Sequence, residues 1–231
     1  MSKHRENTTR AEATAEAIIE LIIDSKMQEG EKLPNEFELA KMLGVGRSTL
    51  REAIRRLVAR NVLQVRQGSG TFVSSKHGVP EDPLGLTFLS DTSRQVLDLL
   101  DIRLMLEPEI CSRTVYVASD EQIEKMREYC DICEALIESG QDYSEADANF
   151  HCYLAECSGN LVLRNLLPII TSAVPVVIAA TSDKHRLQTI NEHRLIVDAI
   201  ERRDALGARC CMLSHLNTSR ASLIKNKGKK L

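Results

Sequence analysis

Residues 47–60 divide their side chains between two faces at the spacing of an α-helix. One face is apolar, and the other carries an arginine at every fourth position, so the arginines line up along the helix. The apolar positions are Leu50, Ala53, Ile54, Leu57 and Val58, and the basic positions are Arg47, Arg51 and Arg55. Such a helix buries its apolar face in a domain and leaves its cationic face on the surface.

The segments on either side of this helix complete a domain. A first helix is predicted over residues 9–25, with a buried face made of Ile18, Ile19, Ile22 and Ile23. A second, short helix begins after Asn35 as its N-cap, and the side chains expected to point inward are Phe37, Leu39, Ala40 and Leu43. Residues 62–65 and 71–73 are predicted to form two strands joined by a tight turn. This order predicts a winged helix-turn-helix in residues 1–75, with three helices and a β-hairpin wing.

The distribution of charge sets this segment apart from the rest of the chain. The 231 residues carry a formal net charge of −3, but residues 41–75 contain seven basic residues and one acidic residue, a charge of +6 that leaves −9 elsewhere. A cationic stripe on an acidic protein is typical of a surface that binds a phosphate backbone. On charge alone, the same stripe could be no more than a solvated helix face.

Residues 76–90 contain several glycines and prolines, interrupt the periodic pattern and are predicted to form a linker. Beyond them no strand pattern occurs, and apolar residues recur at helical spacing. The predicted helices span residues 96–117, 120–139, 143–157, 162–180, 189–202 and 204–225. Their short connections predict an all-α antiparallel bundle of six or seven helices over residues 91–226, followed by a basic tail at 227–231. The fold class is therefore mainly α.

Other features argue against membrane, secreted and disulfide-rich proteins. No run approaches the length of about 18 apolar residues that a membrane helix requires, and the polar N-terminus lacks the apolar segment of a secretory signal. We therefore expect a cytoplasmic protein that does not bind a membrane. The seven cysteines are an odd number, which favours reduced thiols. Cys130 and Cys133 form a single CxxC within a helical pattern, where ordinary half-buried thiols are a better interpretation than structural zinc.

The N-terminal domain resembles the DNA-binding domain of the GntR regulator family. The matching residues are Leu33-Pro34-Asn35-Glu36, Glu38-Leu39-Ala40, Leu43-Gly44-Val45-Gly46-Arg47, Leu50-Arg51-Glu52-Ala53, Leu57 and Gln67-Gly68-Ser69-Gly70-Thr71-Phe72-Val73. Phe37 and Gly46 depart from the family, in which polar or basic residues are frequent at these positions. Both departures remove contacts to DNA, so the operator of a relative does not transfer to this chain.

A winged helix-turn-helix places its recognition helix in the major groove of DNA, where the first turn reaches the base edges. Arg47 and Arg51 can pair there with a guanine edge or grip a phosphate, and the hydroxyls of Ser48 and Thr49 lie where a phosphate is favoured. The resemblance places the wing tip near the minor groove, with the residues Gln67, Gly68, Ser69 and Gly70. One such domain offers a small interface, so we expect a homodimer on a palindromic double-stranded DNA operator.

The C-terminal part resembles the FadR-like subgroup of this family, which carries an FCD sensor domain. The matching residues are Arg103 with Leu106-Glu107-Pro108, Asp147-Ala148-Asn149-Phe150-His151, Ser158-Gly159-Asn160, Glu192-His193, Ala199-Ile200, Met212 and His215-Leu216. Together the two resemblances span nearly the whole chain.

Four residues of this second motif are candidate metal ligands. Asp147 and His151 are four residues apart and share one helix face, whereas His193 and His215 lie on separate later helices. Side chains from three helices can meet in a bundle core, where metal sites of this kind are built. Without the family, a set this scattered would be poor evidence for a site. The resemblance implies that the four residues bind a divalent transition metal, of which zinc fits best and nickel or manganese also fit.

Arg103 and Glu107 are also four residues apart and have two interpretations, between which the sequence does not decide. They form an intrahelical salt bridge worth about 0.3–0.5 kcal/mol, or Arg103 faces a cavity and holds the carboxylate of an effector, as the resemblance implies. A guanidinium beside a metal would favour an anionic effector, which points to a small organic acid or sugar acid.

These features predict a transcription regulator, most commonly a repressor in this family, whose operator binding is controlled by the effector. Two alternatives stay open: a regulator for which the metal ion is itself the signal, and a metal-dependent hydrolase. The hydrolase is disfavoured because no general-base or nucleophile motif accompanies the four ligands, and the DNA-binding domain would have no role. We therefore expect a protein that is not an enzyme.

Overall fold

The structure is a computed structural model that describes residues 9–76, 78–80, 82–88, 92–179 and 183–227. The chain divides into two units, Met1–Pro83 and Leu84–Leu231. The assignment of residues 76–90 to a linker and of 227–231 to a tail stays a prediction. Of the histidines that match no motif position, His4 and His77 lie outside the described residues.

The first unit is a winged helix-turn-helix, as predicted. Its helices are α1 (Arg10–Asp24), α2 (Glu36–Met42) and α3 (Arg47–Ala59), and its strands are β1 (Leu63–Arg66) and β2 (Gly70–Val73). The strands pair antiparallel, with Leu63 opposite Val73 and Arg66 opposite Gly70. Lys32 adds an isolated antiparallel bridge to Phe72, so the loop before α2 is attached to the wing.

Short-range hydrogen bonds determine where these helices begin. Thr9 and Glu12 form a capping box at the start of α1. Asn35 Oδ1 accepts hydrogen bonds from the backbone N–H groups of Phe37 and Glu38, and the Glu38 side chain accepts one from the Asn35 N–H, which confirms Asn35 as the N-cap of α2. Between α2 and α3, Gly44 has a φ of 63°, a conformation that favours glycine and allows the tight turn.

Two residues predicted to be buried in this unit are exposed. Phe37 is 63% exposed and Ile23 is 65% exposed, whereas Leu39 and Ile18 are buried. A helix turns about 100° per residue, so Phe37 lies two residues from Leu39 on the opposite side of α2. For the same reason Ile23 in the last turn of α1 points well away from Ile18. The apolar face of each helix is narrower than the sequence pattern suggested.

The second unit is a helical bundle, and no strand occurs in the part of it that the structure describes. After a 3-10 turn at Leu86–Phe88, its helices are α4 (Thr92–Val117), α5 (Asp120–Glu138), α6 (Ser144–Cys157), α7 (Leu161–Ile170), α8 (Val174–Ala179), α9 (Asp183–Glu201) and α10 (Ala205–Lys227). Helix α10 packs along both α4 and α9, and α6 packs against α4, α5, α7 and α8. The bundle core includes Phe150, Leu154, Ile196 and Met212, all fully buried.

The single helix predicted over residues 162–180 is wrong. A 3-10 turn at Thr171–Ala173 divides the segment into α7 and α8. Pro175 has no N–H to donate, so a continuous helical hydrogen-bond ladder is not possible at this point. By length and composition alone, Leu161–Ala179 could cross a membrane, but such evidence is weak. Its buried side chains, among them Leu167 and Val177, pack in the core of the helical unit.

Candidate metal centre and DNA-binding surface

Asp147, His151, His193 and His215 come together in the core of the helical unit. Helix α6 carries Asp147 and His151 on one face, α9 supplies His193 and α10 supplies His215. One potential ligand atom from each residue lies within 4.8 Å of the others, and all four residues are buried. The structure therefore contains the His/Asp cluster that the sequence motif suggested.

The cluster has the donor chemistry of a metal site. His193 Nε2 lies 3.4 Å from Asp147 Oδ1, and His151 Nε2 lies 3.7 Å from Asp147 Oδ2. Among the described residues, neither ring nitrogen of His151 nor either ring nitrogen of His193 has a hydrogen-bond partner, although all four are buried. Buried polar atoms are seldom left without a partner, because the lost hydration is costly. Three imidazoles and one carboxylate suit a borderline divalent ion, so these residues fit a metal.

Two further carboxylates orient the imidazoles from outside the cluster. Glu107 Oε2 lies 2.5 Å from His151 Nδ1, and Glu192 Oε2 lies 2.9 Å from His215 Nδ1. Glu192 is itself fixed, because its Oε1 accepts hydrogen bonds from Gln188 and Thr218. At His215 the carboxylate holds the proton on Nδ1 and leaves Nε2 as the free ligand atom, an arrangement common around protein-bound metals. At His151 the Glu107 carboxylate lies against the ring as a charged neighbour.

Burial keeps two of the imidazoles in the form that binds metals. It lowers the pKa of His193 well below its ordinary value, and the neighbouring His215, His151 and Arg103 add to the shift. Burial also lowers the pKa of His151, although the charge of Glu107 opposes this effect. Both rings are therefore neutral near pH 7, and a neutral imidazole nitrogen can donate its lone pair to a metal.

Arg103 and Glu107 form a salt bridge, and Arg103 also lines a cavity beside the cluster. Arg103 Nε lies 2.5 Å from Glu107 Oε1, and the two residues are only 3% and 2% exposed. Burial favours the neutral form of Glu107, but Arg103 and His151 outweigh it and hold the pKa of this carboxyl well below its usual range. The value for an exposed helical pair does not apply to a pair this deeply buried. Removal of one partner alone would leave an uncompensated buried charge, which costs about 3–5 kcal/mol.

The cavity is narrow and has both charged and hydroxyl-bearing walls. Arg103, Asp147 and His215 line one part of it, hydroxyls come from Tyr143, Thr189 and Ser219, and apolar side chains come from Val174, Val177 and Ile178. The cavity and its mouth enclose about 270 Å³ of unfilled space, but the space is thin and holds about one water molecule. An organic molecule would have to displace part of the wall.

The CxxC pair does not resemble a metal site. Cys130 and Cys133 are buried, and burial raises the pKa of Cys130 to about 12 and that of Cys133 well above its ordinary value. A structural zinc site takes four ligands, and among the described residues no group of three or more potential metal ligands contains these two cysteines. All seven cysteines are unpaired, in accord with the expectation of reduced thiols.

The exposed side of α3 carries the predicted DNA-contacting residues of the recognition helix. Arg47, Ser48 and Arg51 are exposed and Thr49 is half-buried. Helix α2 positions both arginines: the Arg47 guanidinium lies 5.7 Å from the centre of the Phe37 ring, and Arg51 Nε lies 2.8 Å from Glu36 Oε2. These two contacts were not predicted, because they depend on the angle between two helices.

The wing tip, residues 67–70, is exposed between two cationic side chains. The Arg66 guanidinium lies 4.4 Å from the centre of the Phe72 ring, a distance typical of a cation–π contact. Gly70 has a φ of 121°, and a Cβ at this position would meet Lys32 Cε at 2.7 Å. The Lys32 side chain therefore lies against the wing at Gly70. This contact was not predicted, because Lys32 lies far from the hairpin along the chain.

Glu107 and Glu192 were also missed as partners of the histidines. Glu192 directly precedes His193, but it contacts His215 on another helix, and no spacing rule indicates that contact. Glu107 was considered only as a partner of Arg103. Its contact with His151 arises from the packing of α4 on α6.

Two family models match the chain in the order of its two units. Residues 10–73 match the model described as "Bacterial regulatory proteins, gntR family" and residues 98–218 match the FCD domain. An Escherichia coli K12 protein whose name assigns it to regulation of the L-lactate dehydrogenase operon is 31% identical over 226 residues, which are 90% of this chain and 83% of that protein. The transcriptional repressor NanR of Cronobacter sakazakii is 29% identical over 222 residues, covering 90% of this chain and 83% of its own.

Solved structures agree with these matches. A GntR protein of Streptococcus agalactiae is 39% identical and superposes with a TM-score of 0.79, covering 92% of this chain and 99% of its own. The metal-free FCD domain of TM0439 is 19% identical with a TM-score of 0.50 over 59% of this chain and 96% of its own, which shows a shared fold. The similar proteins are regulators and not enzymes, and the chain belongs to the GntR family as a DNA-binding transcription regulator with a C-terminal FCD domain.

Proposed function

We propose that this regulator is a cytoplasmic repressor whose affinity for its operator is controlled by a small organic acid or sugar acid bound at a zinc site in the FCD domain. The observation that carries the proposal is the buried cluster of Asp147, His151, His193 and His215, which adjoins a cavity lined by Arg103. The four clustered residues can bind a metal ion, and Arg103 offers a positive charge to an anionic effector beside it.

Zinc is the metal proposed, with nickel and manganese as alternatives, because the donor set is three imidazole nitrogens and one carboxylate. A bound ion would supply positive charge and free coordination positions to an anionic oxygen of the effector. The protein's own contribution is to hold the ligands in place: Glu107 and Glu192 fix the orientation of His151 and His215.

The effector is proposed to be a carboxylate that carries further oxygen atoms. Arg103 would pair with its carboxylate, since a guanidinium offers two parallel N–H donors to such a group. The hydroxyls of Tyr143, Thr189 and Ser219 line the same cavity and match the polar surface of a hydroxy acid or sugar acid. Since the cavity holds about one water molecule, a state that accepts the effector differs from this one. Differential affinity for two states is what ligand control requires.

On the DNA side, α3 is proposed to enter the major groove with Arg47, Ser48, Thr49 and Arg51 at its leading end. Arg51 would exchange its partner Glu36 for a base edge or a phosphate. The wing tip, Gln67 to Gly70, would lie near the minor groove. Because a single winged domain buries a small area, a homodimer on a palindromic operator is expected.

A second candidate is a regulator for which the metal ion is itself the signal. It is favoured by the narrowness of the cavity and by the engagement of Arg103 with Glu107. The two candidates differ in one measurement, the affinity for DNA selected from a random duplex pool. If an organic effector is required, this affinity stays constant as zinc is varied and changes when hydroxy acids or sugar acids are added to the zinc-loaded protein. A response to zinc alone would establish the second candidate.

Replacing Arg47 with alanine is expected to weaken operator binding and to reduce sequence preference, because one bidentate base contact is worth about 1–3 kcal/mol of discrimination. Titration of labelled operator and non-specific duplexes measures both effects. Arg55→Ala is the matched control, since Arg55 is exposed further along the same helix; it should lower affinity for all sequences alike. An unchanged operator affinity in Arg47→Ala would remove Arg47 from the interface.

Replacing Gly70 with alanine is expected to distort the wing. Its φ of 121° strains any other residue by about 1–3 kcal/mol, and the added Cβ would press on Lys32. Operator affinity and the unfolding temperature should both fall. Ser69→Ala is the stability control, because Ser69 is exposed in the same turn and does not have a positive φ. An equal unfolding temperature in both variants would contradict the proposed strain at Gly70.

The triple variant His151→Ala, His193→Ala, His215→Ala is expected to purify without a transition metal, whereas the natural chain is expected to carry about one ion per protomer. Elemental analysis measures the metal, and circular dichroism checks the fold. The double variant Cys130→Ala, Cys133→Ala should keep its metal, because neither thiol belongs to the cluster. A folded triple variant that retains its full metal content would show that the cluster is not the site.

A further inference from the structure

A buried series of three charged and polar side chains runs from the cavity wall to the metal-binding cluster. Arg103, Glu107 and His151 are 3%, 2% and 1% exposed. Glu107 stands between the other two: its Oε1 accepts a hydrogen bond from Arg103 Nε at 2.5 Å, and its Oε2 lies 2.5 Å from His151 Nδ1. Arg103 Nη2 also approaches Glu107 Oε2 at 3.5 Å. One carboxylate thus serves both the arginine of the cavity and a ligand of the cluster.

We infer that Glu107 couples the two halves of the site, so that a carboxylate bound at Arg103 and a divalent ion bound at the cluster strengthen each other's binding. The inference rests on the proposed function, in which both groups bind. It assigns Glu107 the role of a positioning residue, since it contacts His151 and Arg103 and belongs to neither set of proposed ligands.

The sign of the coupling follows from the fact that the one Glu107 carboxylate interacts with both Arg103 and His151. A carboxylate that approaches Arg103 competes with Glu107 for the same guanidinium, so Glu107 is less neutralised by it. The attraction between Glu107 and the His151 ring beside it then becomes stronger, and a negative charge next to the ring makes its other nitrogen a better ligand. By thermodynamic reciprocity, an ion at the cluster must favour the carboxylate at Arg103 by the same factor.

The charges around the cavity also indicate that binding of an organic anion depends on the metal ion. Among the described residues around the cavity, Arg103 supplies the one guanidinium, while three carboxylates, Glu107, Asp147 and Glu192, surround it and the cluster. The carboxylates exceed the guanidinium by two negative charges, and a further anion would be repelled in a buried site. A divalent ion cancels the excess. An organic anion is therefore expected to bind the metal-loaded protein and not the metal-free protein.

If the salt bridge between Arg103 and Glu107 were purely structural, removing each residue would affect the cluster in a different way from the one proposed. If Arg103 and Glu107 only brace α4, removal of either residue would perturb the cluster in the same direction, or not at all. In the coupled arrangement the two removals act in opposite directions. Without Glu107, His151 loses the carboxylate beside it and is a poorer metal ligand. Without Arg103, Glu107 interacts with His151 alone, and His151 is a better metal ligand.

The test measures the affinity of the full-length protein for zinc by competition with a chromophoric chelator. Glu107→Gln is expected to weaken zinc binding about 10–100-fold, the usual effect of losing an outer partner of a metal ligand, because the negative charge beside His151 is removed. Glu109→Gln is the matched control on the same helix: Glu109 pairs with Arg209 at 2.5 Å on the surface, and zinc affinity should not change. Arg103→Gln is expected to tighten zinc binding, and this gain should disappear in the Arg103→Gln, Glu107→Gln double variant.

The outcomes separate this inference from the proposed function. A natural chain that binds no zinc would overturn the zinc site and the coupling with it. A natural chain that binds zinc, with folded Glu107→Gln of equal affinity, would overturn the coupling alone. Tightening that persists in the double variant would also overturn it, because Arg103 would then act directly on the ion. Circular dichroism of the metal-free proteins checks the fold, and if Arg103→Gln fails to fold, the comparison of Glu107→Gln with Glu109→Gln decides.

Discussion

The contacts between buried charges and imidazoles are the interactions on which the helix positions of the FCD domain depend most. Glu107 on α4, Asp147 and His151 on α6, Glu192 and His193 on α9 and His215 on α10 meet in one interior region. An apolar core tolerates small shifts between helices, but a buried carboxylate separated from its partner leaves an uncompensated charge that costs about 3–5 kcal/mol. The relative positions of four helices are therefore tied to these contacts, and the surrounding core, with Phe150 stacked on His193, packs around them.

The N-terminal domain could be predicted almost completely from local sequence. Its helices are limited by caps and glycine turns that act over three or four residues, and its hairpin is a continuous piece of chain. The errors, Phe37 and Ile23, occur in short or terminal helical turns, where an apolar residue need not face the core. What the sequence could not indicate is how Phe37, Glu36 and Lys32 contact α3 and the wing, because those contacts depend on tertiary packing.

The candidate metal centre shows a sharper limit. The spacing of Asp147 and His151 places them on one helix face by elementary geometry, but His193 and His215 entered only through the resemblance to a family. Neither helix geometry nor the family resemblance indicated that Glu107 and Glu192 contact the imidazoles. Glu107 contacts His151 across 44 positions in the chain, and the only local signal, its spacing from Arg103, pointed to an ordinary helical salt bridge. Both interpretations of Arg103 describe part of its environment, since it is paired and it lines the cavity.

The helices that form the cavity wall also indicate which part of the domain can move. One side of the cavity is built on α4, α6 and α10, which are long and joined through the buried charges. Another part of the wall comes from Val174, Val177 and Ile178 of α8, a helix of six residues that contains Pro175 and follows a 3-10 turn. A short helix with an incomplete hydrogen-bond ladder opens at a lower free energy than the long helices around it. If a ligand larger than water enters beside Arg103, α8 is the wall expected to move, because displacement of any other wall would separate buried charges.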